Sequence, residues 1–328
     1  MAVAWSCLLL VLLVWLSCID RTGAAGATFT FVNSCGFTVW VGVQSNGGIA
    51  LLAGGGFELA AGSKNAVSAP AGWGGRFWGR TGCNFDSSGQ GKCETGDCGG
   101  VLKCGGTGGA PPASLAEITL DGANGDDFYD ISLVDGYNLP LEMTPSGGTG
   151  VCGSPGCTYN LNDNCPQVLQ LVAQGLVIGC KSACAAFDTP EYCCTGAYGS
   201  PTTCPATEYS NAFKAACPTA YSYAYDDATS TFTCKGANYA ITFCPYGTPG
   251  TTPSSNSTHG GTHPPPSRSP PKQSPPSPNG ISQYGTGTSA GVRYSARVEF
   301  ILLLCIAAFL FLHGKKQPEL QASVELMM

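Results

Sequence analysis

Sixteen cysteines lie between Cys35 and Cys244, and they limit what this chain can fold into more than any other feature does. The chain's other three cysteines lie in an apolar leader and an apolar tail. The sixteen form an even set in a segment that looks exported, and exported proteins fold where thiols are oxidised. The pattern therefore predicts a loop-rich domain held together by disulfides.

Zinc binding is the alternative use of these cysteines, because Cys193–Cys194 and the spacing Cys180-x3-Cys184 look like ligand pairs. The interval 27–246 contains no histidine, however, and free thiolates are not expected in an oxidising compartment. We predict no metal site. The sequence also contains no motif for a nucleotide or an organic cofactor.

The N-terminal residues 1–26 have the pattern of a signal peptide. An apolar run from Leu8 to Leu16 is followed by small residues at 24–27. The domain that follows, residues 27–246, contains 8 Lys and Arg against 17 Asp and Glu, a net charge of 8 − 17 = −9. Nucleic-acid binding needs a basic face, so this charge argues against a nucleic-acid partner.

Residues 247–299 differ in kind from the domain, since they are rich in Pro, Ser and Thr and contain no cysteine. Such a segment buries too little apolar surface to fold, and we expect an extended, disordered linker. Asn256 begins an N-glycosylation sequon within it.

The segment 300–312 is uninterruptedly apolar and is followed by a polar tail, residues 313–328. As a helix it would span about 20 Å, against a hydrocarbon core of about 30 Å. The small residues Ser289–Gly291, a spacer and this apolar run partly fit a GPI-anchor signal. A short transmembrane helix is the alternative. Either route predicts a monomeric domain attached to the outer face of the plasma membrane.

Short segments rich in β-branched and aromatic residues alternate with glycine-rich turns through the domain, which favours a sandwich or flattened barrel. One helix is predicted to start near Asn164, with Pro166 in its first turn and Gly175 at its end. The predicted strands lie at 28–32, 37–41, 76–78, 114–120, 128–134, 231–233 and 239–243.

One stretch, GQGKCETGDCGGVLKC from Gly89 to Cys104, resembles the signature of the thaumatin-like proteins, the fifth pathogenesis-related group of plants. Blocks beginning at Gly75, Phe128 and Tyr223 are also similar to this family. The resemblance covers about residues 27–246. It implies a mainly β fold, a flattened β-sandwich with two small loop-rich, disulfide-held subdomains and an acidic cleft.

The resemblance also implies eight disulfides, which the spacing alone does not assign. Taken in the family's order, these are Cys35–Cys244, Cys83–Cys93, Cys98–Cys104, Cys152–Cys234, Cys157–Cys217, Cys165–Cys180, Cys184–Cys193 and Cys194–Cys204.

Antifungal members of this family line their cleft with one arginine, one glutamate and three aspartates. The matching residues here are Arg76, Glu117, Asp130, Asp135 and Asp226, although Asp227 leaves the last position open by one residue. The resemblance points to β-1,3-glucan as the ligand or substrate.

The residues themselves allow a related argument about chemistry. Without histidine in the domain, a Ser-His-Asp or Cys-His apparatus is excluded, and carboxylates are the remaining general acids and bases. Glycoside hydrolysis needs two carboxyl groups, and we assign Glu117 as the acid and Asp135 as the base or nucleophile. Three readings stay open: a glucan-binding defence protein, an endo-β-1,3-glucanase, and a surface interaction module in which the charged cluster is structural.

Overall fold

The computed structural model describes residues 26–247. The predicted signal peptide up to residue 25, the linker beyond residue 247, Asn256, the apolar segment 300–312 and the polar tail lie outside the described residues. Within the described part of the chain, no helix has the length and apolar character needed to cross a bilayer.

Residues 26–247 are built mainly of short strands, and each of the seven predicted segments overlaps an observed strand. Within the described range these strands are β1 (Thr28–Asn33), β2 (Val39–Ser45), β3 (Gly56–Leu59), β4 (Lys64–Ser68), β5 (Gly74–Arg80), β6 (Asn84–Phe85), β7 (Gly91–Lys92), β8 (Leu115–Thr119), β9 (Asp127–Ser132), β10 (Leu141–Ser146), β11 (Gly156–Cys157), β12 (Gln170–Ala173), β13 (Leu176–Cys180), β14 (Phe232–Cys234) and β15 (Asn238–Phe243).

Two large sheets contain most of these strands. One has the order β11-β10-β15-β1-β4, and the other has the order β14-β9-β8-β5-β2-β3. The hairpins β6–β7 and β12–β13 lie outside them. β1 pairs in parallel with β15, so both strands end at the same edge, where Asn33 lies opposite Phe243. The disulfide Cys35–Cys244 joins the chain just beyond that edge.

The core lies between the two large sheets, and aromatic side chains from both fill it. In β1, Phe29 and Phe31 are fully buried, as the alternation of a half-buried strand requires. Their ring centroids lie 4.9 and 5.1 Å from that of Phe77 in β5. Tyr129 of β9 and Tyr239 of β15 make a similar contact at 5.0 Å. The predicted mainly β sandwich is therefore confirmed.

All eight predicted disulfides are present in the structure, in the predicted pairs. They fall mainly in two loop-rich regions. Residues 83–104, held by two short-range bridges, cover part of the six-stranded sheet. Residues 152–217 contain three of the four α-helices of the described chain and four of the other six bridges. The many glycine-rich loops explain why covalent ties are needed, since such loops bury little apolar area.

The helix predicted to start near Asn164 is wrong. A 3-10 turn, Gln167–Leu169, leads instead into the antiparallel hairpin β12–β13, and Gly175 makes its turn with φ of 77°. In the described chain the α-helices are α1 (Ala183–Phe187), α2 (Pro190–Cys193), α3 (Glu208–Ala216) and α4 (Asp227–Ser230), and the remaining 3-10 helices are Leu52–Gly55, Ala123–Gly125, Leu161–Asn164 and Gly196–Tyr198.

Candidate functional site

Four polar side chains form a row across the outer face of the six-stranded sheet, the face turned away from the five-stranded sheet. Gln44 lies opposite Arg76, Arg76 opposite Glu117, and Glu117 opposite Asp130, on β2, β5, β8 and β9. The neighbouring row on β5, β8 and β9 is completely buried. It consists of Phe77, Ala116 and Ile131. Since neighbours along a strand point to opposite faces, the polar row points away from the core.

Arg76 and Glu117 form an ion pair in this row, with 3.2 Å between Nη2 and Oε1. Their side chains are 40% and 28% exposed, so the pair is accessible from solvent. Burial raises the pKa of Glu117, Arg76 acts to lower it, and the charge of Asp135 acts to raise it. A hydrogen bond with the Ser132 side chain also acts to lower it. The net shift is upward, so Glu117 holds a proton to higher pH than an ordinary glutamate.

Asp130 is the most strongly perturbed carboxyl of the row. Burial raises its pKa well above the usual aspartate range, and the charge of Glu117, directly opposite, raises it further. Within residues 26–247 its Oδ1 is buried and has no hydrogen-bond partner. An ionised carboxylate in such a place is costly, so the protonated form of Asp130 is favoured.

Asp135 lies in the turn that follows β9, where Gly136 N–H donates to the Leu133 carbonyl at 2.9 Å. Gly136 has φ of 91°, and a Cβ there would come within 2.7 Å of the Cys180 carbonyl oxygen, so the turn requires glycine. Burial raises the pKa of Asp135, and Arg76 acts to lower it. Asp135 therefore lies in a turn and still belongs to the charged cluster, since Arg76 acts on it.

We call Arg76, Glu117, Asp130 and Asp135 the acidic cluster. One guanidinium acts on all three carboxyl groups, and each of the three has a raised pKa. The ion pair of Arg76 is with Glu117. Carboxyl groups this close together carry fewer negative charges than their number, because each ionised group raises the pKa of its neighbours. Their protonation states therefore change readily.

Asp226 points elsewhere. Its Oδ2 accepts hydrogen bonds from Lys214 Nζ at 2.9 Å and from the backbone N–H and hydroxyl of Ser222 at 2.9 and 2.8 Å. Burial acts to raise the pKa of Asp226, but the hydrogen bonds from Lys214 and Ser222 outweigh it, and the net shift is downward. The side chain is only 12% exposed. Among the described residues, Asp226 makes no hydrogen bond with a member of the acidic cluster.

Tyr221 and Asp227 lie beside the acidic cluster, and neither was assigned as a site residue from the sequence. Tyr221 pairs with the end of β9: its N–H donates to the Ile131 carbonyl, and its carbonyl accepts from Leu133 N–H, both at 2.8 Å. Its hydroxyl donates to Oδ1 of Asp227 at 2.8 Å, and the Asp227 charge acts on Asp130. The Asp226-Asp227 pair was the one signal in the sequence, and it did not say which carboxylate faces the cluster.

A separate concavity lies among the helices. It is lined mainly by the disulfide-held loops, by Tyr192, Tyr209 and Phe213, and by residues 222–224. Glu191 is its one carboxylate, so paired-carboxylate chemistry fits the outer face of the sheet and not this concavity. No group of three or more metal-ligating side chains occurs among residues 26–247.

Known proteins with similar sequences match this domain. A profile of the Thaumatin family matches residues 33–245. The chain is 61% identical over 223 residues to pathogenesis-related thaumatin-like protein 3.5 of Cryptomeria japonica, which covers 67% of this chain and 91% of that protein. It is 60% identical over 217 residues to pathogenesis-related protein 5 of Arabidopsis thaliana, which covers 66% of this chain and 90% of that protein.

A third relative has an enzymatic name. The chain is 49% identical over 241 residues to a glucan endo-1,3-beta-glucosidase of Prunus avium, and the alignment covers 73% of this chain and 98% of that protein. The match in each case spans almost the whole relative but about two thirds to three quarters of this chain.

Proposed function

This chain belongs to the thaumatin family, and we propose on that basis that it is an extracellular plant defence protein that binds β-1,3-glucan of fungal walls through the acidic cluster. The observation that carries the proposal is the polar row, which presents a solvent-accessible ion pair on the outer sheet face with the carboxyl of Asp130 beside it. Sugars offer hydroxyl groups as donors and acceptors, and charge-assisted hydrogen bonds to them are among the stronger ones. The name of one relative, a glucan endo-1,3-beta-glucosidase, supports this ligand class, and the names of the two pathogenesis-related relatives support a role in defence.

Hydrolysis of the glucan is the second candidate. The raised pKa of Glu117 suits a general acid that protonates the leaving oxygen. The second group, Asp135, must then be ionised to act as base or nucleophile, yet its pKa is raised too. Two upward shifts do not separate an acid from a base, so binding is the better-supported function of the two.

The proposed compartment follows from the cysteines. Sixteen paired cysteines are typical of proteins that fold in the secretory pathway. The signal peptide, the glycosylated linker at Asn256 and attachment of a monomeric protein to the plasma membrane, by GPI anchor or short transmembrane helix, belong to the proposal as sequence-based parts of it.

The test uses the full chain, secreted with its disulfides intact, and measures both retention on insoluble β-1,3-glucan and reducing sugar released from laminarin. Glu117→Gln/Asp135→Asn is the site variant, and Glu142→Gln, on the opposite sheet, is the matched control. We expect the wild type and the control to bind and the double variant to lose binding. Sugar release by the wild type alone would favour the glucanase, and full activity of the double variant would refute the catalytic assignment. Absence of both binding and release would direct attention to protein partners.

A further inference from the structure

The edge of β9 beyond Asp130 is occupied by an arch, residues 220–231. Its first part is attached to β9 by the backbone pairing of Tyr221, and β14, which follows it, pairs Phe232 with Tyr129. Asp130 lies between these two attachments along β9. The arch is therefore the structural element that follows Asp130 at the end of the polar row.

Lys214 of α3 fixes the arch from behind. Its Nζ donates to the Ala220 carbonyl at 2.9 Å and to the Ser230 hydroxyl at 2.8 Å, one near each end of the arch. It also pairs with Asp226 at 2.9 Å. Asp226 in turn accepts two hydrogen bonds from Ser222 through Oδ2 and one from Thr229 through Oδ1 at 3.3 Å. Both oxygens of Asp226 are therefore used within the arch.

Asp227 and Tyr221 make a separate contact within the arch. Asp227 is exposed, and its Oδ1 accepts from the Tyr221 hydroxyl, which also contacts the hydroxyl of Thr231. The phenol and the carboxylate are thus held together by a hydrogen bond of 2.8 Å at a solvent-accessible rim. A carboxylate beside a phenol is a suitable pair for sugar hydroxyls, because it accepts hydrogen bonds while the aromatic ring packs against the apolar face of a pyranose.

We propose that Tyr221 and Asp227 form a further glucan-binding wall of the acidic cluster, and that Asp226 is a positioning residue that holds the arch carrying them. This inference rests on the proposed function for the identity of the ligand. It departs from the assignment made from the sequence, where Asp226 was placed among the residues that line the cleft. The charges that act on Asp130 are those of Glu117 and Arg76 from the sheet and Asp227 from the arch, and the Asp130 charge in turn acts on Tyr221.

The experiment compares Asp227→Asn, Tyr221→Phe and Asp226→Asn in the full chain, with laminarin as the probe. We expect Asp227→Asn to weaken laminarin binding by about 10- to 100-fold, the usual effect of losing hydrogen bonds to a charged group, with an unchanged unfolding temperature. Tyr221→Phe should weaken binding several-fold. Asp226→Asn should lower the unfolding temperature by about 4–8 °C. Lys214→Arg, which keeps the cation, should retain most of that stability.

A second readout does not depend on the ligand. The carboxyl of Asp130, followed by carbon NMR, should titrate at lower pH in Asp227→Asn, because a neighbouring negative charge is removed. The shift should be smaller in Asp226→Asn, because the Asp226 charge does not act on Asp130 directly. An Asp130 titration that moves with Asp226 and not with Asp227 would overturn the placement.

The two failures are distinguishable. A wild type that binds laminarin while Asp227→Asn binds equally well would refute this inference and leave the proposed function intact. A wild type that does not bind laminarin would refute the proposed function and the ligand assigned to the wall, and the Asp130 titration would still decide between Asp226 and Asp227 as the neighbour.

Discussion

Arg76 and Arg80 lie on the same strand, on the same face and four residues apart, yet their surroundings are opposite. Arg80 is fully buried. Its guanidinium donates hydrogen bonds to four backbone carbonyls at 2.7–3.2 Å, which belong to Trp40, Val41, Val101 and Leu102. Burial lowers the pKa of Arg80 to about 10, so it remains charged at neutral pH, while Asp97 acts in the opposite direction.

Among residues 26–247, Arg76 has one ion-pair partner, Glu117, and its side chain is 40% exposed. The difference comes from the loop of residues 83–104, which covers Arg80 and Trp78 and leaves the next row of the sheet open. Asp97 holds this loop in shape by accepting hydrogen bonds from the N–H groups of Cys93, Gly99 and Gly100. A disulfide-held cover thus makes one arginine part of the scaffold, and the other remains accessible to a ligand.

The largest effect that tests this comparison is expected for Arg80→Met. Four buried carbonyls would lose their donors, and the free energy of unfolding should fall by about 3–5 kcal/mol. The matched control, Arg76→Met, removes a partly exposed ion pair and should cost less than about 1 kcal/mol. Denaturant unfolding of both variants, with the disulfides intact, measures the difference. Equal losses for the two arginines would contradict the comparison.

The sequence could not have distinguished the two arginines. Both follow a glycine in Gly75-Arg76-Phe77-Trp78-Gly79-Arg80, and both fall on the same face of a period-2 strand. What separates them is a contact with residues more than twenty positions away, and a local pattern does not contain that information. The resemblance predicted that Arg76 lies near Glu117 and Asp130, whereas the burial of Arg80 became visible only in the fold.

The hairpin β12–β13 shows the same limit. The apolar residues Val168, Leu169, Leu171 and Val172 are spaced for a helix face, and a short apolar run does not decide between helix and strand. In the fold, Gln170 pairs with Cys180, which is also bridged to Cys165, so the segment is held as an antiparallel hairpin. In contrast, Asp130 could be placed from local alternation alone, because Ile131 and Leu133 are both core residues.

The second expected effect, intermediate in size, concerns the loop of residues 83–104 that covers Arg80. Asp97→Asn would turn an amide N–H₂ toward backbone donors that now face a carboxylate, and we expect a loss of about 1–3 kcal/mol in the free energy of unfolding. The amides of Cys93, Gly99 and Gly100 should exchange faster with solvent hydrogen. Asp86→Asn, in the same loop but fully exposed, is the control and should have a smaller effect. Unchanged exchange at those three amides would show that the loop does not depend on Asp97.

The smallest effect sharpens the comparison most. It concerns the pH dependence of stability that the acidic cluster, which the loop leaves open, should cause. Glu117, Asp130 and Asp135 have raised pKa values in the folded state, so the fold binds protons more tightly than the unfolded chain does. Stability should therefore rise as the pH falls through these raised pKa values toward about 4, the ordinary range of carboxyl groups. Arg80 does not titrate in this range, so it should contribute no such slope.

Glu117→Gln removes one of the three groups and lowers the repulsion on Asp130. At pH 7 the variant should be as stable as the wild type or more stable, by less than about 1 kcal/mol, because the repulsion removed is offset by the loss of a partly exposed ion pair. At the acid end of the range, where these carboxyl groups become protonated, the two proteins should converge. Thermal unfolding from pH 3 to 8 measures both curves. A loss at pH 7 as large as that of Arg80→Met would mean that the acidic cluster supports the scaffold, and that the open and covered arginines serve the same purpose after all.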